Sequence, residues 1–192
     1  MSLPSYDKAK RRKNFEMLPK GAYVIKIKNA KERDNKSGNG KHIAIAFDIA
    51  EGEYANFYQT MFDASQNEDK KWPMDAVFYL NVPEESSMSY VWDNWNTFFA
   101  DVEDSNNGFV FSGDLSALTG KLIGGKFALE QTEYNGNVYD HVRLKWTCVA
   151  ADVRSGKAGR MPKDKLVESP SVGSGDTSFM TVPENAADEV PF

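Results

Sequence analysis

The sequence predicts an all-β fold: five strands closing into a small Greek-key barrel, with a helical insertion between the third and fourth strands. Three observations predict it. Residues 22–31, 41–49, 121–134 and 138–149 alternate apolar and polar side chains with the period of two that a half-buried strand requires. Asn135-Gly136 sits between the last two of these runs and is the strongest short hairpin signal in the chain. The alternation breaks over 63–120, where aromatic and apolar residues at 89–101 recur at helical spacings of three and four.

The elements follow in order. Residues 1–20 form a basic N-terminal arm, with Lys8, Lys10, Arg11, Arg12 and Lys13 ahead of Pro19-Lys20-Gly21. In the first strand Tyr23, Ile25 and Ile27 face one way, and Val24, Lys26 and Lys28 the other. The polar, Gly/Asn-rich stretch 33–40 reads as a hairpin loop. The second strand points Ile43, Ile45, Phe47 and Ile49 inward. Its other face carries His42, Ala44, Ala46 and Asp48, small enough for a ligand to lie against. A third strand is expected at 54–62, and a helical turn over 114–119 ends at Gly120. The fourth strand turns Ile123, Phe127 and Leu129 inward. The fifth turns in Val142, Leu144, Trp146 and Cys148, so Phe47, Phe127 and Trp146 are assigned to the core. From about residue 153 the composition shifts to Ser, Gly, Pro, Asp and Lys, which marks a flexible linker ending in an acidic tip. This order of strands around a helix is that of the OB fold, spanning 21–152 with its insert at about 63–120; a more generic small β-barrel or sandwich fits nearly as well.

Composition narrows the function classes. The 192 residues carry 41% hydrophobic and 12% aromatic residues, enough for one good core. A single cysteine, Cys148, forbids an intramolecular disulfide, and His42 and His141 lack ligand partners at metal spacing. No apolar run approaches a membrane span and no export signal opens the chain, so a cytoplasmic protein is expected. The net charge of −5 is unevenly placed. Residues 1–41 hold 12 Lys/Arg against 4 Asp/Glu and residues 115–165 hold 9 against 5, whereas residues 42–114 hold 2 against 14. Two basic segments that meet in space would make one positive groove.

Outward-facing cations and aromatics are the candidates to line it. Lys26, Lys28, Arg33, Lys36, Lys41, Arg143 and Lys145 would meet phosphates, with Lys121 and Lys126 as weaker choices. Tyr54, Tyr58, Trp72, Tyr79 and Tyr139 would stack bases. Asp48, Glu51, Glu53 and Asp63 could in principle hold Mg²⁺ for a nuclease, but no catalytic signature accompanies them, and a solvated acidic face is the simpler reading. No cofactor is expected. Asp188, Glu189, Val190, Pro191 and Phe192 form an acidic tip with an aromatic carboxy-terminus, suited to a pocket with a basic rim on a partner. An aromatic surface of this kind also fits a protein-interaction or virion-assembly module.

Taken together, several segments resemble phage-type single-stranded-DNA-binding proteins: Leu18-Pro19-Lys20-Gly21-Ala22-Tyr23, Glu133-Tyr134-Asn135-Gly136 with the strand at 142–152, Val153-Arg154-Ser155-Gly156-Lys157, and the tip at 188–192. The chain departs from the housekeeping bacterial form in its insert at 63–120 and in having fewer consecutive acids at the tip. The resemblance implies an OB fold, binding of single-stranded DNA without sequence preference, no catalysis, and recruitment of replication or recombination proteins in a bacterial host. It leaves room for a homo-oligomer.

Overall fold

The computed structural model describes residues 16–36, 38, 40–65 and 69–167. The basic arm before residue 16 and the acidic tip at 188–192 lie outside them. Five strands, β1 (Gly21–Asp34), β2 (Lys41–Ile49), β3 (Val77–Asn81), β4 (Leu122–Tyr134) and β5 (Asn137–Cys148), form one antiparallel sheet in the order β3-β2-β1-β4-β5. Among the described residues three helices accompany it: α1 (Phe57–Ala64), α2 (Ser89–Ser105) and α3 (Ala150–Arg154). Short 3-10 turns at Met74–Ala76 and Leu115–Leu118 precede β3 and β4. The expected closed barrel is not hydrogen-bonded shut. Among the described residues no ladder joins β3 to β5, and the sheet is open there.

The core follows the predicted alternation, except that Val24, expected on the outer face with Lys26 and Lys28, is buried as well. Ile25, Ile27, Ile43, Ile45, Phe47, Ile49, Ile123 and Phe127 are buried with Leu80, Val142 and Leu144, and Phe47 meets Phe127 edge-on at 5.7 Å. The β4–β5 turn is left-handed at both Asn135 (φ 51) and Gly136 (φ 74), the conformation that makes Asn-Gly a hairpin turn.

Three expectations need correction. The third strand is not at 54–62: that stretch holds α1, because Phe57, Tyr58 and Met61 repeat at helical spacing and pack against the core. The third strand is Val77–Asn81, inside the segment read as an insert. The linker does not begin at 153 either. Residues 150–154 form α3, tied by Arg154 to Glu51 at 2.6 Å, and the chain then returns along β4. There Lys165 bridges Glu130 in parallel, and Asp164 accepts from Leu129 N at 3.0 Å and pairs with Lys20 at 2.7 Å. This strap lies along β4 beyond the point where β1 begins, so it supplies partners that β1 cannot.

Helix α2 is held across one end of the sheet by polar ties as well as packing. Asp101 accepts from the Thr147 hydroxyl at 2.6 Å, Ala150 N donates to Ser105 Oγ at 2.9 Å, and the Asn106 amide bonds both Val102 O and Leu122 O at 2.7 Å. Phe98 and Phe99 face inward, with Phe98 stacked on Phe78 of β3.

Candidate nucleic-acid interface

The opening between β3 and β5 is a groove. One part, about 490 Å³, is lined by Phe78, Tyr79 and Asn81 of β3, Tyr90 and Asn94 of α2, Lys126 of β4, and Lys145 and Trp146 of β5. A second part, about 260 Å³, shares Tyr79 and Lys145 and adds Met74, Glu130 and Arg143. Three aromatics stand open along it: Tyr79 is 52% exposed, Tyr90 58% and Trp146 43%.

Local backbone geometry decides which side chains reach this groove. The β4–β5 register shifts between Lys126 and Phe127: Phe127 pairs with Leu144 and Lys126 with Trp146, so Lys145 is the extra residue of a bulge. A bulge inverts the alternation beyond it. Trp146, assigned to the core by its parity with Leu144, is therefore turned outward beside Lys126. Cys148 is buried as expected, but over Gly124 rather than in the main cluster. A Cβ on Gly124 would stand 2.7 Å from Cys148 Sγ and 2.8 Å from Val153 Cγ2, so glycine admits that contact. On the other side of the groove, Tyr79 lies opposite the small Ala44 and meets His42 edge-on at 5.3 Å.

An ion-pair cluster bridges the opening. Arg143 Nε donates to Asp75 Oδ1 at 3.0 Å, and His141 Nδ1 lies 3.2 Å from Asp75 Oδ2. Asp75 belongs to the turn that leads into β3, while Arg143 and His141 belong to β5. Glu130 of β4 accepts from Lys145 at 2.7 Å, from Arg143 at 3.3 Å and from Lys165 at 3.3 Å. Burial works against the Glu130 charge, but the bonds and attraction of Lys145, Lys165 and Arg143 outweigh it and hold the carboxyl below its ordinary value. The Asp101 carboxyl nearby is pushed up by burial, in part offset by its bond from Thr147.

The sequence-predicted residues divide accordingly. Tyr79, Arg143 and Lys145 come together in the groove. Lys26 and Lys28 line neither part of it. Lys28 is the extra residue of a second bulge, in β1, and reaches Gln59 of α1 at 3.2 Å and the face of Trp72 at 5.9 Å. Arg33 and Lys36 are exposed at the far end of β1, and Lys41 is paired with Glu32 at 2.6 Å. Tyr139 is exposed toward the tip of the β4–β5 hairpin. Tyr58 is 2% exposed and belongs to the core, so it is not a stacking platform. Tyr54 packs edge-on against Tyr23 and Phe57. Trp72 is half-buried against the core and donates to Ala76 O at 3.3 Å. Among the acids, Asp48 is not part of a solvated face: it is buried and accepts from Ile49 N, Tyr58 N and Gln59 N, which fixes the start of α1.

No protein-family model matches this chain, and neither does any curated protein. Among the described residues no His, Cys, Asp and Glu group is placed to hold a metal ion, and no helix is long and apolar enough to cross a membrane.

The sequence reading missed Trp146, Tyr90 and Met74 as groove residues and Asp75 as the partner of Arg143. Tyr90 was legible. The buried side of α2 is Phe98, Phe99 and Val102 with Trp95 against them, and at 100° per residue Tyr90 falls well off that stripe. Trp146 was not, because a period-two reading carries no signal for a bulge.

Proposed function

We propose that this protein is a non-enzymatic OB-fold binder of single-stranded DNA, without sequence preference, serving phage or mobile-element replication and recombination. Its acidic tip at 188–192 recruits partner enzymes. The strand order β3-β2-β1-β4-β5 supports the OB assignment, since joining its two ends would give the cyclic order of that barrel. The observation that carries the functional reading is the groove itself. Tyr79, Tyr90 and Trp146 stand open beside Lys126, Lys145 and Arg143, which is the pairing of stacking faces with cations that unpaired nucleotides require. Each base stacked on such a face contributes about 1–3 kcal/mol.

Titration with oligo-dT tests this through intrinsic fluorescence. Binding at low salt quenches the emission. Trp146→Phe keeps most of the affinity but loses most of the quench, while Trp146→Ala weakens binding by about tenfold, the size expected for one lost stack. Unchanged emission at low salt in the wild-type protein refutes the reading. That outcome would favour a protein-interaction module, which Met88, Trp92 and Val110 support as exposed apolar side chains before, on and after α2.

A further inference from the structure

We infer that Arg143 and its neighbours form a phosphodiester-binding subsite which Asp75 occupies from within, as a stand-in for phosphate. This deepens the nucleic-acid reading above and rests on it. The observations are geometric. Where β3 and β5 lack a main-chain ladder, side chains make the connection. Asp75, on the β3 side, holds Arg143 and His141 on the β5 side at 3.0 and 3.2 Å. Glu130 also binds Arg143 and Lys145, but from β4, the strand next to β5, so its bonds do not cross the opening. Asp75 is thus the carboxylate that spans it.

The chemistry of the exchange follows. A planar guanidinium binds carboxylate and phosphate through the same forked donors, so a phosphodiester oxygen arriving in the groove competes directly with Asp75 for Arg143. The Asp75 and Arg143 side chains are each about one-third exposed, at 35% and 30%, so solvent and ligand reach the pair. Three permanent cations (Arg143, Lys145 and Lys165) face two carboxylates (Asp75 and Glu130), which leaves the cluster positive and able to attract a strand. Asp75 then does two things. It fastens β3 to β5 when the groove is empty, and it sets a threshold that a ligand's phosphate must exceed. Met74, beside it in the same turn and 71% exposed, lines the same groove.

The test is Asp75→Asn, which removes the charge and keeps the shape. Oligo-dT affinity is measured across a salt series for the wild-type protein, Asp75→Asn, Arg143→Gln and the double variant, with circular dichroism confirming that each is folded. Freeing one cation for phosphate should tighten binding severalfold at low salt and steepen the slope of log K against log salt by about 0.7, the increment for one phosphate on a single strand. The double variant should match Arg143→Gln alone. If the wild-type protein binds and Asp75→Asn changes neither affinity nor slope, or weakens binding, the stand-in role is wrong. A gain that survives in the Arg143→Gln background also overturns it, because the effect would then be general repulsion. If neither the wild-type protein nor Asp75→Asn binds at low salt, the nucleic-acid reading fails and takes this inference with it.

Discussion

Asp48 shows how much one side chain decides. Its carboxylate is 3% exposed, yet it accepts three main-chain N–H groups, from Ile49 and Tyr58 at 2.9 Å and from Gln59 at 3.1 Å. Helix α1 opens at Asn56 in a left-handed conformation with no side-chain cap of its own, so Asp48 satisfies two of the orphan donors of its first turn. Asp48→Asn keeps one acceptor oxygen and turns an amide toward a donor. It should cost about 1–3 kcal/mol. For a chain of this size, at about 2–4 °C per kcal/mol, that lowers Tm by about 2–12 °C, checked by thermal denaturation. An unchanged Tm would mean that α1 does not depend on this anchor. The sequence showed an acid among apolar residues on an alternating strand, and period two put it on the outer face. The helix that covers that face was itself read as a strand, so nothing local marked Asp48 as buried. Phe47 and Phe127, by contrast, were legible because they share a strand face with aliphatics, Ile45 and Ile49 beside one and Ile123 and Leu129 beside the other.

At the scale of elements, alternation and turn chemistry revealed four of the five strands and α2, and they failed where two periodicities compete. In 54–62, Tyr, Phe, Tyr and Met satisfy both strand and helix counting over a short run, and the packing of Tyr58 beneath the sheet selects the helix. Strand β3 is only five residues long, too short to show a period. The strap after α3 has the composition of a linker. It holds its place by bonding to β4 and by Lys165 and Asp164 pairing with Glu130 and Lys20. Glu130 is the point where strap, β4 and β5 meet, with only 13% of its side chain exposed. Its folded value is depressed, so the stability it contributes is complete above the ordinary glutamate value of 4.5 and is lost as pH falls through the lower folded value. Glu130→Gln should therefore be less stable than wild type by about 1–2 kcal/mol at pH 7, since it leaves Lys145 and Lys165 without their carboxylate. Below pH 4.5 the gap should narrow and then close. Urea unfolding of both proteins at pH 7 and at pH 3 measures it; an equal gap at both would show that Glu130 acts through shape alone.

Over the whole molecule, the uneven charge along the chain is not the charge that a ligand meets. Residues 42–114 look strongly acidic in sequence, yet several of their carboxylates are engaged internally. Asp48 anchors α1, Asp75 holds Arg143, Asp101 binds Thr147, Glu103 accepts from Phe111 N, and Asp114 caps the turn before β4. The basic segments do not converge as a block either. Arg143, Lys145 and Lys126 reach the groove, whereas Lys26 and Lys28 do not line it, Lys28 being engaged with α1 and Trp72. A strand that meets only those three lining cations should give log K against log salt a slope of about −2. A strand that continues over the outer face of β1 and β2 would also meet Lys31 and Arg33, which lie opposite Ala44 and His42, and the slope would approach −3.5, at about −0.7 per phosphate. Reversing two charges, Lys26→Glu with Lys28→Glu, tests a third path, along the α1 side. With the groove as the route, slope and affinity stay close to wild type. A slope shallower by about 1.4 would instead mean that the strand passes along the α1 side, and that the opening between β3 and β5 is not where it binds.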